Sequence, residues 1–334
     1  MIYDCFSFFN ELDLLEIRLN VLKDAVDRFV LVEATRTHTG APKPLFYAEN
    51  KARLAAFADR IIHVVADDFA AADAIAGERE RAWAVENIQR NAIARGLSGA
   101  APGDTVLISD LDEIPDPAAV RKAAGSPGIT RLGMRIYNYY LNFRNYSTPQ
   151  WTLGTQVLSY AAFTDPATYR GFRFGEFAIA SVNAPPSATM IRMGRQNRFI
   201  RDAGWHFTYL GGVEAVRRKI MSIAHTEYNT PETRSDEWIK ARIAAGEDPF
   251  RRGDRFFADE IDGAFPEYLR CNRSRYSHLI LPVAEGDAHR TRLRRFAAKV
   301  RGAVRRTLAR AVPPFLVPAA IRFLDRLHGV KRGT

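Results

Sequence analysis

Cysteine is scarce in this chain: Cys5 and Cys271 are the only two among 334 residues. They show no metal-type spacing, which argues against a disulfide framework and fits a reducing compartment. Long apolar runs are missing too. No stretch of about 18 uninterrupted apolar residues occurs, so no membrane-spanning helix is expected. Met1–Phe9 is apolar but carries neither a basic flank nor a cleavage site, so it is not expected to act as a secretory signal. Internal repeats and low-complexity segments are absent. The body also lacks a basic stripe. The net charge is +10, yet thirteen Lys/Arg and two Asp from Asp287 onward carry +11, leaving residues 1–286 at −1. A groove that tracks nucleic acid needs basic residues on the folded body, so no nucleic-acid partner is expected.

What is present begins with an alternation. Ile2–Phe8, Phe29–Val32, Ile61–Val65 and Val106–Ser109 read as strands. Helical patterns at Glu11–Val26, Asn50–Ala58 and Glu78–Arg95 separate them, with Gly96 as a left-handed stop after the last. A β-α-β-α-β-α-β series implies a doubly wound parallel sheet. Three of its strand ends carry acids: Glu33, Asp67/Asp68 and Asp110/Asp112. Beyond Pro117 the pattern changes to longer strands at Arg131–Phe143 and Thr155–Phe163. The cluster of Tyr137, Tyr139, Tyr140, Phe143, Tyr146 and Trp151 there reads as core or as a stacking platform for sugar rings. A strand between glycines follows at Gly204–Gly212. Helices then run over Val213–Ala224 and Ser235–Ala245, with Ser235 as the cap.

The stretch Thr105–Pro115 carries the most chemistry. An apolar strand runs into Ser109-Asp110-Leu111-Asp112-Glu113-Ile114-Pro115, and open α/β sheets bind ligands at the carboxyl ends of their strands. Period-2 spacing lets Asp110 and Asp112 point to one side of an extended segment. Two such carboxylates repel unless a cation lies between them or one stays protonated. A hard divalent ion is the simplest partner, and it would also hold a substrate's phosphates. The pair thus predicts a metal–nucleotide site. A dehalogenase-type phosphatase also uses Asp-x-Asp, but after its first strand; here the pair follows the fourth. A non-catalytic, membrane-docked scaffold is the other alternative, against which the intact acidic pair argues.

The tail is distinct. Over Arg290–Val312, apolar and basic residues alternate with helical period, ahead of Pro313-Pro314 and a second apolar stretch, Phe315–Leu327. This is a basic amphipathic helix of the kind that lies in an anionic membrane interface. The competing reading packs it on the body. The membrane is favoured because the body offers no evident acidic counterpart.

With these residues identified, the chain resembles glycosyltransferase family 17. The resemblance is carried by Phe8–Leu19, Phe29–Thr35, Thr39–Leu45, Ser109–Pro115 and Gly204-Trp205-His206, and covers roughly residues 3 to 282. It implies a GT-A-type α/β fold, with a mostly parallel sheet flanked by helices. Residues 1–286 would form the transferase domain, nucleotide-binding to about 116 and acceptor- and metal-binding over 117–286, with 287–334 as the basic tail. It implies a UDP-sugar donor, Mn²⁺ or Mg²⁺, and inverting transfer of N-acetylglucosamine to a glycan, cell-surface polysaccharide or lipid-linked acceptor. The tail would hold the protein on the inner face of the plasma membrane.

Residue roles follow from that resemblance. Asp112, with Asp110 beside it, would hold the ion; the alternative for Asp110 is the ribose, or the ion through water. His206 would be a third ligand, His225 its runner-up, and a core histidine the alternative for both. Glu33, Thr35, Arg90 and Asn91 are placed toward the nucleotide, and Glu113 toward a supporting role. Inversion needs a carboxylate base, for which Glu227, Asp236 and Glu237 are the candidates.

Overall fold

The computed structural model describes residues 1–148, 150–171 and 198–283, together with 295–300, 302–304 and 307. Twelve strands are described: β1 Ile2–Phe8, β2 Arg28–Ala34, β3 Ile61–Ala66, β4 Thr105–Asp110, β5 Glu113–Pro115, β6 Thr130–Leu132, β7 Arg135–Asn138, β8 Phe143–Asn145, β9 Gln156–Ser159, β10 Arg198–Ile200, β11 Gly204–Thr208 and β12 Phe256–Ala258. They form a seven-stranded sheet, β10-β6-β9-β4-β1-β2-β3, and a five-stranded sheet, β12-β8-β7-β11-β5.

The first four strands are parallel, as the alternating pattern requires. Strict period-2 alternation divides their side chains between two cores. Phe6, Phe8, Phe29, Leu31 and Leu107 face the Leu12–Leu22 helix and bury with its Leu15, Leu19 and Leu22. Tyr3, Cys5, Val30, Val32, Val106 and Ile108 face the opposite way, against Val85 and Ile93. Fully burying each such aliphatic or aromatic side chain contributes about 1.5–3 kcal/mol.

The first sheet is mostly parallel, as expected; within it only β9 runs antiparallel, to both β4 and β6. Several expectations are corrected. Arg131–Phe143 is not one strand: β6 and β7 occupy separate sheets, and Tyr139 takes a left-handed φ of 68° between β7 and β8. Thr155–Phe163 shortens to β9 and a 3₁₀ turn at Tyr160–Ala162. Gly96 is no left-handed cap; it lies in a short Ile93–Gly96 helix, where a Cβ would press into Val30 and Val64. A division near 116 does not separate the sheets, since β6, β9 and β10 join the first and β5 the second. The aromatic cluster is mainly core: Tyr137, Tyr139, Phe143 and Tyr146 are buried. Tyr139 donates its hydroxyl to the Glu247 carbonyl at 2.8 Å and Tyr146 to Asp259 at 2.6 Å. The Asp236–Ala245 helix forms as expected, with Ser235 capping Trp238 N at 3.2 Å.

The tail also corrects an expectation. Residues 295–300 and 302–304 are helical, and the body does supply an acid: Arg295 pairs with Asp259 at 2.9 Å. Arg295 and Lys299 lie over the Tyr146 ring at 5.0 and 5.5 Å. Ala298 is buried, whereas Phe296, Val300 and Val304 are 67%, 44% and 40% exposed. Residues 315–327 lie outside the described part of the chain. Among the described residues no helix is long and apolar enough to cross a membrane.

Candidate active site

Sheet topology places the site. The chain runs outward through β1, β2 and β3, then returns to β4 on the other side of β1. The crevice between the carboxyl ends of β1 and β4 is therefore the topological switch point, where open α/β sheets bind ligands. Ser7 and Asp110 pair across it, so Glu11 and the Asp110–Glu113 turn face each other at its mouth.

The turn is held by a buried arginine. Arg18, on the Leu12–Leu22 helix, is fully buried and forks onto Asp4 at 2.6 and 2.8 Å. Its remaining N–H groups donate to the carbonyls of Asp110, Leu111 and Glu113 at 2.8–3.0 Å, and to Ser109 Oγ at 2.5 Å. Six acceptors meet five N–H groups, so one N–H of Nη1 is shared between two carbonyls; a lysine, with three donors, could not serve them. Sequence reasoning missed Arg18 and Asp4. Their signal is a charge inside an otherwise apolar helix face and another inside a central strand.

Asp110 and Asp112 do not share one extended segment, contrary to the period-2 expectation. β4 ends at Asp110, and β5 then pairs antiparallel with β11. The Asp112 carbonyl accepts from Phe207 N at 2.8 Å. Asp110 binds Arg90 Nη2 at 2.8 Å, and Arg90 Nη1 also binds Glu86 at 2.8 Å. Asp112 is 8% exposed, with Lys219 Nζ at 2.7 Å and His206 Nε2 at 3.5 Å. Burial pushes its carboxyl upward, but Lys219 and His206 together hold it far below the usual carboxylate range. Lys219 is raised in turn: burial opposes its charge, and Asp112 with Glu11 at 3.9 Å outweighs that.

The remaining groups complete the wall. Glu113 is fully buried; it accepts from Asp110 N at 3.2 Å and from Trp151 Nε1 at 2.6 Å, the supporting role expected of it. The Trp151 ring lies 4.8 Å from the His206 ring. His206 Nδ1 is buried with no hydrogen-bond partner among the described residues. Along the rim, Gln89 donates to the Val32 and Phe8 carbonyls at 3.1 and 3.4 Å and binds His38 at 3.1 Å. Lys43 lies within 5.6 Å of the Phe9 and Phe46 rings.

The other predicted residues scatter. Glu33 is fully buried; it caps Tyr47 N at 2.9 Å and Ala48 N at 3.3 Å and binds His63 at 2.9 Å, so its carboxylate is engaged inside the protein. Thr35 is half-buried, its backbone bridging Ala66 and Lys43. Asn91 points away from Arg90 and accepts from Ala167 N at 2.9 Å. His225 is exposed, bonded to Glu227 at 2.9 Å and set against Trp83 at 4.8 Å, apart from the Asp112 cluster. Trp83, Glu86 and Arg90 share one face of the Glu78–Asn91 helix, so Glu227 borders the face that reaches Asp110. Asp236 pairs with Arg217 and with Lys240 at 3.6 Å. Arg217 and Lys219 lie two residues apart on one helix and point to opposite sides, which puts Asp236 away from the crevice. Glu237 is exposed.

A divalent ion would need several of these groups to converge. Asp110, Asp112 and His206 are chemically suitable oxygen and imidazole donors. Their geometry is not: Arg90 and Lys219 occupy the carboxylates, and among the described residues no three metal-ligating side chains gather. Lys219 and Glu11 were not anticipated, and nothing local in the sequence marks either.

Comparison with known proteins bears on this site. Over 112 residues the chain is 30% identical to beta-1,4-mannosyl-glycoprotein 4-beta-N-acetylglucosaminyltransferase of Homo sapiens, covering 32% of this chain and 20% of that protein. The Rattus norvegicus and Mus musculus proteins of the same name match to the same extent. The aligned part thus spans 20% of the length of these relatives. The model of glycosyltransferase family 17 matches residues 1–193, which include both aspartates and exclude Gly204-Trp205-His206. Matched through the whole switch-point crevice from β1 to the Asp110–Glu113 turn, the chain belongs to glycosyltransferase family 17.

Proposed function

We propose that the β1–β4 crevice transfers N-acetylglucosamine from a UDP-sugar to an acceptor hydroxyl, with inversion. The observation that carries this is the meeting, at a topological switch point, of the family-matched acidic turn with the cations Arg90 and Lys219. In the reaction the acceptor oxygen bonds to the sugar's anomeric carbon as the bond to the diphosphate breaks. A carboxylate takes the acceptor's proton. Glu227 is the best placed of the three base candidates, because it borders the helix face that carries Arg90. Thr35 and the Lys43 rim would line the nucleoside side. Mn²⁺ or Mg²⁺ is an expectation from the family resemblance; among the described residues the groups at Asp112 form no ligand nest for it.

The acceptor we propose is a glycan of a cell-surface polysaccharide or a lipid-linked sugar. The tail supports this. Phe296, Val300 and Val304 recur every four residues on the face opposite Ala298 and stay exposed, while Arg295 and Lys299 turn to the body and leave the other basic residues of the tail for a membrane. Each basic residue near an anionic surface contributes about 1 kcal/mol, and the apolar face adds to that. The protein would then lie on the cytoplasmic face of the plasma membrane. Full-length protein and a form truncated near Gly286 should differ in binding to anionic liposomes at low salt; equal binding would remove the tail from this role.

Hydrolysis of, and thermal stabilisation by, UDP-, GDP- and dTDP-sugars test the central reading. UDP-N-acetylglucosamine should raise Tm and be hydrolysed slowly without acceptor. No response to any of these sugars would overturn it.

A further inference from the structure

We propose that Lys219 is the resident cation of the donor site: its ammonium, seated on Asp112, meets the diphosphate of the bound nucleotide where the sequence pointed to a divalent ion. This rests on the reading of the crevice as a nucleotide-sugar site.

Asp110 and Asp112 each already have a positive partner from the chain. Arg90 is shared between Asp110 and Glu86, so two acids offset its charge. Lys219 differs. Among the described residues its one short contact to an acid is Asp112 Oδ2 at 2.7 Å, while Glu11 at 3.9 Å is beyond hydrogen-bond reach. The Tyr209 ring covers another side at 5.4 Å. An ammonium has three N–H donors, so a direction is left for an incoming anion. Exposure is compatible with this: the Lys219 side chain is 22% exposed and that of Asp112 11%, so the lysine is the more accessible member of the pair.

The ammonium is also pre-positioned. The Gly212–Ser222 helix starts from a sharp turn after β11, with left-handed φ at Tyr209 (58°), Gly211 (101°) and Gly212 (81°). Val216 and Ile220 anchor it in the core. Its far end is tied to the 37–40 loop: the Ser222 carbonyl accepts from His38 N at 3.1 Å and the Met221 carbonyl from Thr39 Oγ1 at 2.9 Å. A clamped helix delivers Lys219 as a fixed point charge, the form in which lysine binds phosphate. A divalent ion on the same oxygens would sit within a few ångströms of that ammonium in a partly desolvated crevice, so the two occupants exclude each other.

The test is calorimetric titration of full-length protein with UDP, in EDTA and in MnCl₂. Wild type should bind UDP with nearly the same affinity in both. Lys219→Met should lose about tenfold or more in EDTA, whereas Lys219→Arg keeps most of the affinity. Because Lys219→Met leaves Asp112 buried and unpaired, the double variant Asp112→Asn/Lys219→Met provides the control: it removes both charges, should keep the fold, and should bind UDP as poorly as the single variant. Lys219→Met should also take up Mn²⁺ that wild type does not, read from the electron paramagnetic resonance signal of free Mn²⁺. UDP binding by wild type only with Mn²⁺ would overturn the proposal. So would undiminished UDP binding in EDTA by Lys219→Met or by the double variant, or equal Mn²⁺ uptake by wild type and Lys219→Met. If wild type binds none of UDP, GDP or dTDP in either condition, the nucleotide reading falls as well.

Discussion

Asp112 in the crevice and Asp259 beneath the tail each hold a basic side chain closely, Lys219 at 2.7 Å and Arg295 at 2.9 Å, yet their carboxyls shift in opposite directions. Burial raises both. At Asp112 the attraction of Lys219 and His206 outweighs burial, so the carboxyl is lowered. At Asp259 burial prevails over Tyr146, Arg295 and Arg144, and Asp262 adds a like charge, so it is raised. The surroundings differ: Asp112 has a lysine at 2.7 Å and a histidine at 3.5 Å, whereas Asp259 has Arg295 at 2.9 Å, Arg144 only at 3.8 Å, and the like charge of Asp262. A short ion pair is therefore no measure of its own strength; what surrounds the pair decides.

The largest expected effect comes from breaking the crevice at its base. Arg18→Met strands Asp4 and removes a donor from each of three carbonyls, of which that of Glu113 keeps another, from Thr155 Oγ1 at 3.4 Å; it should cost about 3–5 kcal/mol in urea denaturation. Near-wild-type stability would mean that the Asp110–Glu113 turn is held by its strands alone. Next comes Asp112→Asn. It leaves the Lys219 ammonium without its counter-charge and should cost about 2–3 kcal/mol, less than a fully buried pair because Lys219 reaches solvent.

A pH series sharpens the contrast through its sign. The Asp112 carboxyl is lowered, so its contribution is full above the ordinary carboxylate range and is lost as pH falls through the depressed value. The Asp259 carboxyl is raised, so the fold favours its protonated form; that contribution is full at low pH and is lost as pH rises through the raised value. The Tm gap between wild type and Asp112→Asn should therefore narrow as pH drops from about 5 to about 2. The gap for Asp259→Asn should move against wild type as pH rises from about 4 to about 6. Parallel trends would dissolve the comparison. The smallest effect is at the tail itself: Arg295→Gln should change body stability by less than about 1 kcal/mol, while limited proteolysis near 295–304 quickens.

Much of the first sheet was legible because its signal is local. Strands buried on both faces read as apolar runs, and β1–β4 fall within two residues of their expected bounds. Ser235 as a cap was legible for the same reason, since its partner is three residues away. Beyond Pro117 legibility failed: nothing in the aromatic run says that β6 and β7 part into different sheets, or that Tyr139 turns left-handed. At the site, the Asp110–Glu113 turn and the nearness of His206 to Asp112 were readable from motif and order. Lys219 was not, because a lysine in an amphipathic helix carries no mark of the carboxylate it will meet.

The sequence by itself determined the parallel strands, the acidic turn at their carboxyl edge and the confinement of excess positive charge to the tail. Those properties follow from backbone periodicity and composition, which act within a few residues. Only the tertiary structure decided the partners: Arg18 beneath the turn, Arg90 on Asp110, Lys219 on Asp112 across 107 residues, and Asp259 under Arg295. The physical reason is range. Pairing of buried charges depends on which elements the topology brings together and how far it excludes water from them, and neither quantity is written in the spacing of the residues.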